Sequence, residues 1–296
     1  MKELKGVFAV TITPFTRDNQ IDYAGVKSNV KWYIESGVHG VLPGGSTGEY
    51  VSLSDEERFK LAEATMELAK GKVSVIVGAT AETTEKTIEF AQHAESIGAD
   101  GVMVLPPYYC NPLPEEILVH FKRIGEAINI PIVLYNNPWT SGIDICLEDE
   151  IKILKQVPNV SIVKESSGQI QRTRDLLMQG PEKTRLFCGW EDLAFEAFVL
   201  GATGWISPAA DVVPGLAVNL FNAVVEEKDF KKGREIYNKI LPLCQYLENC
   251  GKLVQAVKWS LNKIGKVGGH LRSPRLPLNP EEEKKLETIL KNLKLI

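Results

Sequence analysis

The feature that most constrains the fold of this chain is a regular alternation of short apolar runs with longer amphipathic runs. The apolar runs are continuous, as in Val73-Ser74-Val75-Ile76-Val77 and Gly101-Val102-Met103-Val104-Leu105. Continuous runs predict strands buried on both faces, and therefore a parallel sheet, because a strand with one wet face alternates polar and apolar residues. The predicted strands lie near 7–13, 38–42, 73–78, 101–105, 131–135, 160–164, 185–188 and 203–207. The predicted helices between them lie near 22–36, 54–70, 83–97, 114–128, 147–156, 170–178 and 191–200.

Eight strands that alternate with helices indicate an α/β protein with a (β/α)₈ TIM barrel. The helix signals agree, since Ser54 precedes three acidic residues and glycines follow several amphipathic runs. After the eighth strand the pattern is entirely helical, near 216–227, 230–247, 253–264 and 280–293. We therefore predict a barrel over residues 1–225 that carries the catalytic site, and a C-terminal helical extension over 226–296. The alternative is an open doubly wound sheet, although the chain has no dinucleotide fingerprint and no Walker loop.

Composition excludes several classes of protein. With 34 basic and 38 acidic residues the formal net charge is −4, which predicts neither a nucleic-acid partner nor a membrane partner. The first apolar run is cut by Thr13-Pro14, and no run reaches the roughly 18 apolar residues of a spanning helix. The 5 cysteines are odd in number and form no Cys-x-x-Cys pair, so neither a disulfide scaffold nor a zinc site is expected. These observations predict a cytoplasmic location.

Three strand ends carry groups that fit the chemistry of a 2-oxo acid. Lys164 ends one strand, Tyr135 ends the preceding strand, and the turn 44–49 follows the second strand. In a barrel the carboxyl ends of the strands form the active site, so these groups should converge. A lysine amine attacks a ketone when its pKa is lowered, and a phenol moves protons. The sequence therefore predicts a Schiff base on Lys164, with Tyr135 as the acid/base group.

Each of these groups has a structural alternative. Lys164 could pair with Glu165 for structure alone, and Tyr135 could be a packed ring with a wet hydroxyl. The glycine-rich turn could be a plain strand-to-helix connection. Its backbone N–H groups, with the hydroxyls of Ser46 and Thr47, also fit a carboxylate or a phosphate. Tyr109 follows the fourth strand, where paired tyrosines more often serve packing.

Taken together, these motifs resemble the dihydrodipicolinate synthase / N-acetylneuraminate lyase family over nearly the whole chain. Gly189 and Ile206 also fall where that family lines its site. The motifs that carry the resemblance are Thr11-Ile12-Thr13-Pro14-Phe15, Gly45-Ser46-Thr47-Gly48-Glu49, Pro106-Pro107-Tyr108-Tyr109, Tyr135-Asn136-Asn137-Pro138 and Val163-Lys164-Glu165.

The resemblance implies a metal-independent lyase that needs no cofactor and assembles as a homotetramer. It implies that Lys164 forms an imine with pyruvate or another 2-oxo acid, and that Tyr135 relays protons. Ser46 and Thr47 would hold the substrate carboxylate, and Ser46 would pass a proton towards Tyr109 of a neighbouring subunit. The implied catalytic residues are Lys164, Tyr135, Ser46 and Tyr109. The implied substrate-binding residues are Thr47, Gly45, Thr140, Gly189, Ile206 and Ser207.

One position departs from the family pattern. Synthases carry an arginine after the tyrosine motif, which binds the carboxylate of aspartate semialdehyde, whereas this chain has Thr140 there. Loss of a charge-assisted clamp typically costs a few kcal/mol. Bulky Trp139 and Trp190 also indicate an unusual pocket, while Arg172 or Arg174 could supply the missing charge.

We therefore predict aldol cleavage or condensation, or dehydration, of a 2-keto-3-deoxy sugar acid. The alternatives are dihydrodipicolinate synthase proper, in lysine biosynthesis, and a deaminase of a cyclic imino acid. A barrel that binds a small acid without catalysis is an alternative of a different class. A metal-dependent aldolase is disfavoured, because the histidines show no metal-ligand spacing.

Overall fold

The computed structural model describes residues 3–296, and eight parallel strands close into a barrel in the order β1 to β8. This closure confirms the predicted TIM barrel and shows that the open doubly wound sheet was wrong, because β1 pairs with β8 as well as with β2. The strands are β1 Gly6–Ala9, β2 Gly40–Val41, β3 Ser74–Gly78, β4 Gly101–Val104, β5 Ile132–Asn136, β6 Val160–Glu165, β7 Arg185–Cys188 and β8 Gly204–Ser207.

The strands are mainly apolar because both of their faces are buried, and charged residues such as Lys164 and Glu165 lie at a carboxyl end. On β5, Ile132 and Leu134 pack outward against the helices, whereas Val133 and Tyr135 belong to a separate cluster inside the barrel. Ile162 of β6 lies in the same inner cluster. The inner cluster is Leu4, Phe8, Val10, Leu42, Ile76, Met103, Leu105, Val133, Tyr135, Ile162, Phe187 and Ile206.

The helices between the strands begin where the sequence signals predict. Ser54 caps its helix with a capping box completed by Glu57, and Gly98 ends another helix at φ 88°. A short helix at 138–141 was not predicted, although Asn137 caps it and Pro138 occupies its first turn. The helices of the barrel are α1 Tyr23–Glu35, α2 Asp55–Ala69, α3 Thr84–Ile97, α4 Pro114–Ala127, α5 Pro138–Ser141, α6 Leu147–Gln156, α7 Ile170–Gln179, α8 Ala194–Leu200 and α9 Pro214–Phe221.

The chain ends in three further helices, as expected for the C-terminal extension. They are α10 Phe230–Asn249, α11 Leu253–Lys263 and α12 Pro280–Asn292. The end of α10 and the start of α11 reach the carboxyl ends of the barrel strands, where Leu247 and Val254 line a cavity with Lys164. The division at residues 225 and 226 stays a prediction. Within residues 3–296, none of the helices has the length and apolar character needed to cross a bilayer.

Candidate active site

Lys164 lies at the carboxyl end of β6 and points into the barrel. It follows the inward-facing Ile162 by two residues, and side chains two apart on a strand share a face. Tyr135 is its direct partner in the β5–β6 register, and the Lys164 amine lies 4.0 Å from the centroid of the tyrosine ring. The two residues that carry the proposed chemistry are therefore neighbours on adjacent strands.

The Lys164 amine is free of carboxylate partners. The side chain is buried, with 4% of its surface exposed, yet within residues 3–296 it forms no ion pair. The structural pairing with Glu165 that the sequence left open does not occur. Glu165 instead accepts hydrogen bonds from the Ser167 backbone N–H at 2.6 Å and from Asn136 Nδ2 at 3.3 Å.

Gly189, just past β7, leaves room for the lysine side chain. A Cβ at this position would lie 2.8 Å from Lys164 Cε and still closer to Ser166 Oγ. Its backbone N–H donates to the carbonyl of Glu165 at 2.9 Å, which ties the end of β7 to β6. Glycine is therefore needed here for close approach rather than for an unusual φ.

The Tyr135 hydroxyl lies in a small hydrogen-bonded group at the end of β5. It accepts from Asn137 Nδ2 at 2.7 Å, so its own proton is available to a group in the cavity. The Asn137 Oδ1 atom in turn accepts from the Thr140 backbone N–H at 3.2 Å. Asn137 thus orients the phenol and caps α5 at the same time.

The turn after β2 offers hydroxyls to the same space. Ser46 Oγ is buried and has no hydrogen-bond partner within the described residues, and Thr47 is buried beside it. The turn is held from outside, since Thr13 Oγ1 donates to the Gly48 carbonyl at 2.7 Å. A fixed turn with an unpaired buried hydroxyl fits the binding of a polar ligand group.

These groups line one cavity of about 1390 Å³ at the carboxyl ends of the strands. Six of the residues that the sequence singled out lie on its wall, namely Ser46, Thr47, Tyr135, Thr140, Lys164 and Gly189. The cavity is therefore shared by the amine, the phenol and the hydroxyls, as the strand-end argument predicted.

Four other predicted site residues lie elsewhere. Ile206 is packed inside the barrel, and Gly45 lies against Leu42 and Val10. Ser207 is fully buried and donates to Glu191 Oε2 at 2.7 Å. The Tyr109 side chain is 89% exposed and lies outside the cavity wall of its own chain.

Two carboxyl groups near the amine were missed by the sequence argument. Glu191 is fully buried, and burial raises its pKa to about 8, with a further contribution from Glu248. Glu248 lines the cavity from α10, and burial raises its pKa to about 7. Glu191 follows Gly189 by two residues and could have been noticed on that ground. Glu248 has no local signal, because only the packing of α10 brings it to the barrel.

The wall around Thr140 is aromatic. Trp139 and Trp190 both line the cavity, with ring centroids 6.0 Å apart, and Trp139 Nε1 donates to the Ser167 carbonyl at 3.0 Å. Arg172, which the sequence offered as a substitute cation, is instead bound to both oxygens of Asp144 at 2.5 and 3.0 Å.

Arg174 is similarly engaged, since its Nε donates to Asp175 at 2.7 Å. The idea that Arg172 or Arg174 replaces the missing arginine was therefore wrong, because neither residue lines the cavity. The arginines on the cavity wall are Arg17, Arg272 and Arg275.

The chain was compared with known proteins. A model of the dihydrodipicolinate synthetase family matches residues 3–293. The 4-hydroxy-tetrahydrodipicolinate synthase of Methanocaldococcus jannaschii is 36% identical over 99% of both chains. A dihydrodipicolinate synthase structure from Thermotoga maritima is 32% identical, with a TM-score of 0.92 and 99% of each chain covered. A structure described as the first monomeric dihydrodipicolinate synthase variant is 33% identical, with a TM-score of 0.91 over 99% of this chain and 98% of the other.

The barrel and these matches define a lyase of the Schiff-base, class I aldolase type. The chain belongs to the dihydrodipicolinate synthetase family. The resemblance found in the sequence motifs is thereby confirmed.

Proposed function

We propose that Lys164 forms an imine with pyruvate and that the resulting enamine reacts with an aldehyde. The observation that carries this proposal is the Lys164 amine, which is buried, without an ion pair within residues 3–296, and 4.0 Å from the Tyr135 ring. Its nitrogen attacks C2 of pyruvate, a C–N bond forms, and water leaves. Loss of a C3 proton from the imine gives an enamine whose C3 attacks the aldehyde carbon.

Tyr135, Ser46 and Thr47 serve the same reaction. The Tyr135 hydroxyl donates a proton to the departing water and exchanges protons with the reacting atoms. The unpaired Ser46 Oγ and the Thr47 hydroxyl hold the pyruvate carboxylate, with help from the backbone N–H groups of the turn. An imine intermediate is what separates this proposal from a barrel that only binds a small acid.

The test is reductive trapping. The protein is incubated with pyruvate and borohydride, and the adduct is located by mass spectrometry, with Lys164→Arg and the exposed Lys31→Arg as a matched pair of variants. We expect one adduct, on Lys164, which is lost in the first variant and kept in the second. An unmodified Lys164 would refute the proposal.

The names of the relatives support aspartate semialdehyde as the aldehyde. Relatives from Methanocaldococcus jannaschii and Methanococcus aeolicus are named 4-hydroxy-tetrahydrodipicolinate synthase, and each matches over 99% of this chain. We therefore propose condensation of pyruvate with aspartate semialdehyde as the first candidate reaction.

A specific observation supports a second candidate. Thr140 stands where synthases have an arginine, and its side chain offers a hydroxyl on the cavity wall in place of a cation. The Thr140 hydroxyl is better suited to binding the hydroxyl groups of a 2-keto-3-deoxy sugar acid than to binding a carboxylate. Cleavage, condensation or dehydration of such an acid, with deamination of a cyclic imino acid as a further variant, is therefore the second candidate.

A substrate panel separates the two candidates. It compares kcat/KM for pyruvate with aspartate semialdehyde, pyruvate with glyceraldehyde, and cleavage of 2-keto-3-deoxygluconate. A value for aspartate semialdehyde of about 10⁴ M⁻¹s⁻¹ or more, within the common range for enzymes, identifies a synthase. A value at least 100-fold below that of the hydroxylated substrates identifies the second candidate.

We further propose a homotetramer in which Tyr109 reaches the site of a neighbouring subunit. Support comes from the 89% exposure of Tyr109, whose side chain does not line the cavity of its own chain. Light scattering at assay concentration should give four times the mass of one chain, and a fully active monomer would contradict the proposal. The proposed location is the cytoplasm, supported by 5 free cysteines, which are typical of a reducing compartment.

A further inference from the structure

We propose that Glu248 determines acceptor specificity: its Oε2 atom accepts a hydrogen bond from a hydroxyl or ammonium group at the end of the acceptor remote from the aldehyde. This inference rests on the proposed function, since it concerns the second substrate of the same site. It assigns a substrate-binding role to the C-terminal helices, which the family motifs in the barrel do not include.

Glu248 is fixed at the edge of the reacting center by one backbone contact. Its Oε1 accepts from the backbone N–H of Glu191 at 2.7 Å. Glu191 follows Gly189 by two residues, and the Gly189 backbone lies against the Lys164 side chain. The Lys164 charge acts on the Glu248 carboxyl group, so the two groups lie within electrostatic range of each other.

The second oxygen of Glu248 faces the cavity. Within residues 3–296, Oε2 forms no hydrogen bond or ion pair. The atom is also not fully buried. The residue lines the cavity together with Leu247 and Val254, which are apolar. Among the residues of α10 and α11 on this wall, which also include Gln255, Glu248 is the carboxylate.

The charge of Glu248 selects among acceptors. Burial and the nearby Asp192 raise its pKa to about 7, and the Lys164 charge opposes that rise. Glu191, whose backbone N–H donates to Glu248, also has a raised pKa, of about 8, because of burial. A partly desolvated carboxylate favours an ammonium or hydroxyl donor and disfavours a second carboxylate. This preference agrees with Thr140, which stands where synthases have a carboxylate-binding arginine.

The test uses Glu248→Gln, with Glu235→Gln on the exposed face of the same helix as the matched control. Glutamine keeps an oxygen to accept from the Glu191 N–H and replaces Oε2 with a donor, so the structural contact stays while the recognition is reversed. Pyruvate-loaded enzyme is assayed with glyceraldehyde, which carries hydroxyls, with aspartate semialdehyde, which carries an ammonium group, and with acetaldehyde, which carries neither.

We expect Glu248→Gln to lower kcat/KM at least 10-fold for one or both donor-bearing aldehydes, chiefly through KM. The aldehyde that loses most identifies the donor as hydroxyl or ammonium. Acetaldehyde should change less than 3-fold, as should every substrate with Glu235→Gln.

An equal loss with all three aldehydes would overturn the proposal, because it would show a structural role. It is also overturned if no aldehyde is affected, or if the parent enzyme shows no preference for donor-bearing aldehydes. Borohydride trapping of pyruvate on Lys164 is measured in parallel. If the imine is trapped and the kcat/KM values for the three aldehydes are unchanged in the variant, only the role of Glu248 is refuted. If no imine is trapped, the proposed function is refuted.

Discussion

At the scale of single residues, the candidate site depends on a buried amine that has no carboxylate partner within residues 3–296. Lys164 is 4% exposed, and its nearest cation–π contact is the Tyr135 ring. Imine formation, as proposed for Lys164, requires an amine that is not engaged by a carboxylate. Glu165, the adjacent carboxylate in sequence, points to the opposite face of the strand and is occupied there.

We expect Tyr135→Phe to reduce turnover far more than pyruvate binding. The ring keeps its place in the inner cluster, whereas the hydroxyl that accepts from Asn137 is lost. Removal of an acid/base group typically lowers the rate about 10²–10⁴-fold. Steady-state kinetics of the variant should show this loss in kcat, with the dissociation constant for pyruvate within a few-fold of the parent. A kcat within a few-fold of the parent would show that Tyr135 only forms the cavity wall.

The raised pKa values of Glu191 and Glu248 contribute a loss of stability as pH rises from about 5 to 8. Burial raises the pKa of Glu248 to about 7 and that of Glu191 to about 8. Between the unfolded pKa, roughly 4.3, and these values, the folded state binds more protons than the unfolded state, so unfolding is favoured as protons are removed.

Glu248→Gln should remove part of this pH dependence. Urea unfolding at pH 5 and pH 8 measures it, and the drop in unfolding free energy between the two should shrink by on the order of 2 kcal/mol. Glu235→Gln serves as the control, since Glu235 is exposed on the same helix. A variant whose drop equals that of the parent would show that Glu248 does not titrate in this range.

At the scale of secondary-structure elements, the ends of the parallel strands bring the chemistry together. β5 supplies the phenol, β6 the amine, and the turn after β2 the hydroxyls. Gly189, just after β7, leaves space around the Lys164 side chain because it has no side chain of its own. The proposed imine on Lys164 therefore requires a glycine at position 189 as well as the reactive groups.

Gly189→Ala should abolish trapping of pyruvate. The new methyl group would overlap Ser166 Oγ and lie 2.8 Å from Lys164 Cε, so the lysine side chain must move. The double variant Gly189→Ala with Ser166→Ala removes one of the two overlaps and should recover part of the trapping.

The control for that experiment is Gly215→Ala in α9, where a Cβ would meet open space. It should trap pyruvate as the parent does, with a melting temperature within a few degrees. Trapping by Gly189→Ala at the rate of the parent would show that Lys164 tolerates the added methyl group.

At the scale of the whole molecule, a buried ion pair ties the barrel to the C-terminal helices. Glu49, at the end of the glycine-rich turn, is in contact with Lys258 of α11, and both side chains are almost fully buried. Arg275 lies 3.5 Å from Glu49, and Lys258 Nζ also donates to the His270 carbonyl at 2.8 Å. The extension therefore holds the turn that carries Ser46.

We expect Lys258→Met to destabilise the whole protein by about 3–5 kcal/mol, because it leaves a buried carboxylate without its partner. Chemical denaturation measures this loss. The double variant Glu49→Gln with Lys258→Met removes both buried charges and should regain most of the stability, since Arg275, which then loses its contact with Glu49, is partly exposed. A single variant within about 1 kcal/mol of the parent would show that the pair contributes little.

The sequence by itself determined the barrel and the extension, and it predicted the core of the candidate site. Strands buried on both faces are mainly apolar, so their number and order were visible as continuous runs. Lys164, Tyr135, Ser46 and Thr47 were found because the ends of parallel strands meet at one rim, and this rule needs only the position of each residue along its strand.

Only the tertiary structure decided which groups approach the site from outside the strand ends. Glu248 and the Glu49–Lys258 pair depend on how α10 and α11 pack, and no local pattern encodes that packing. The engagement of Arg172 by Asp144 likewise joins residues on different elements. The periodicity of apolar residues indicates which face of each helix or strand is buried. It does not indicate which distant helix or strand packs against that face, because this depends on the positions of all the elements in the closed barrel.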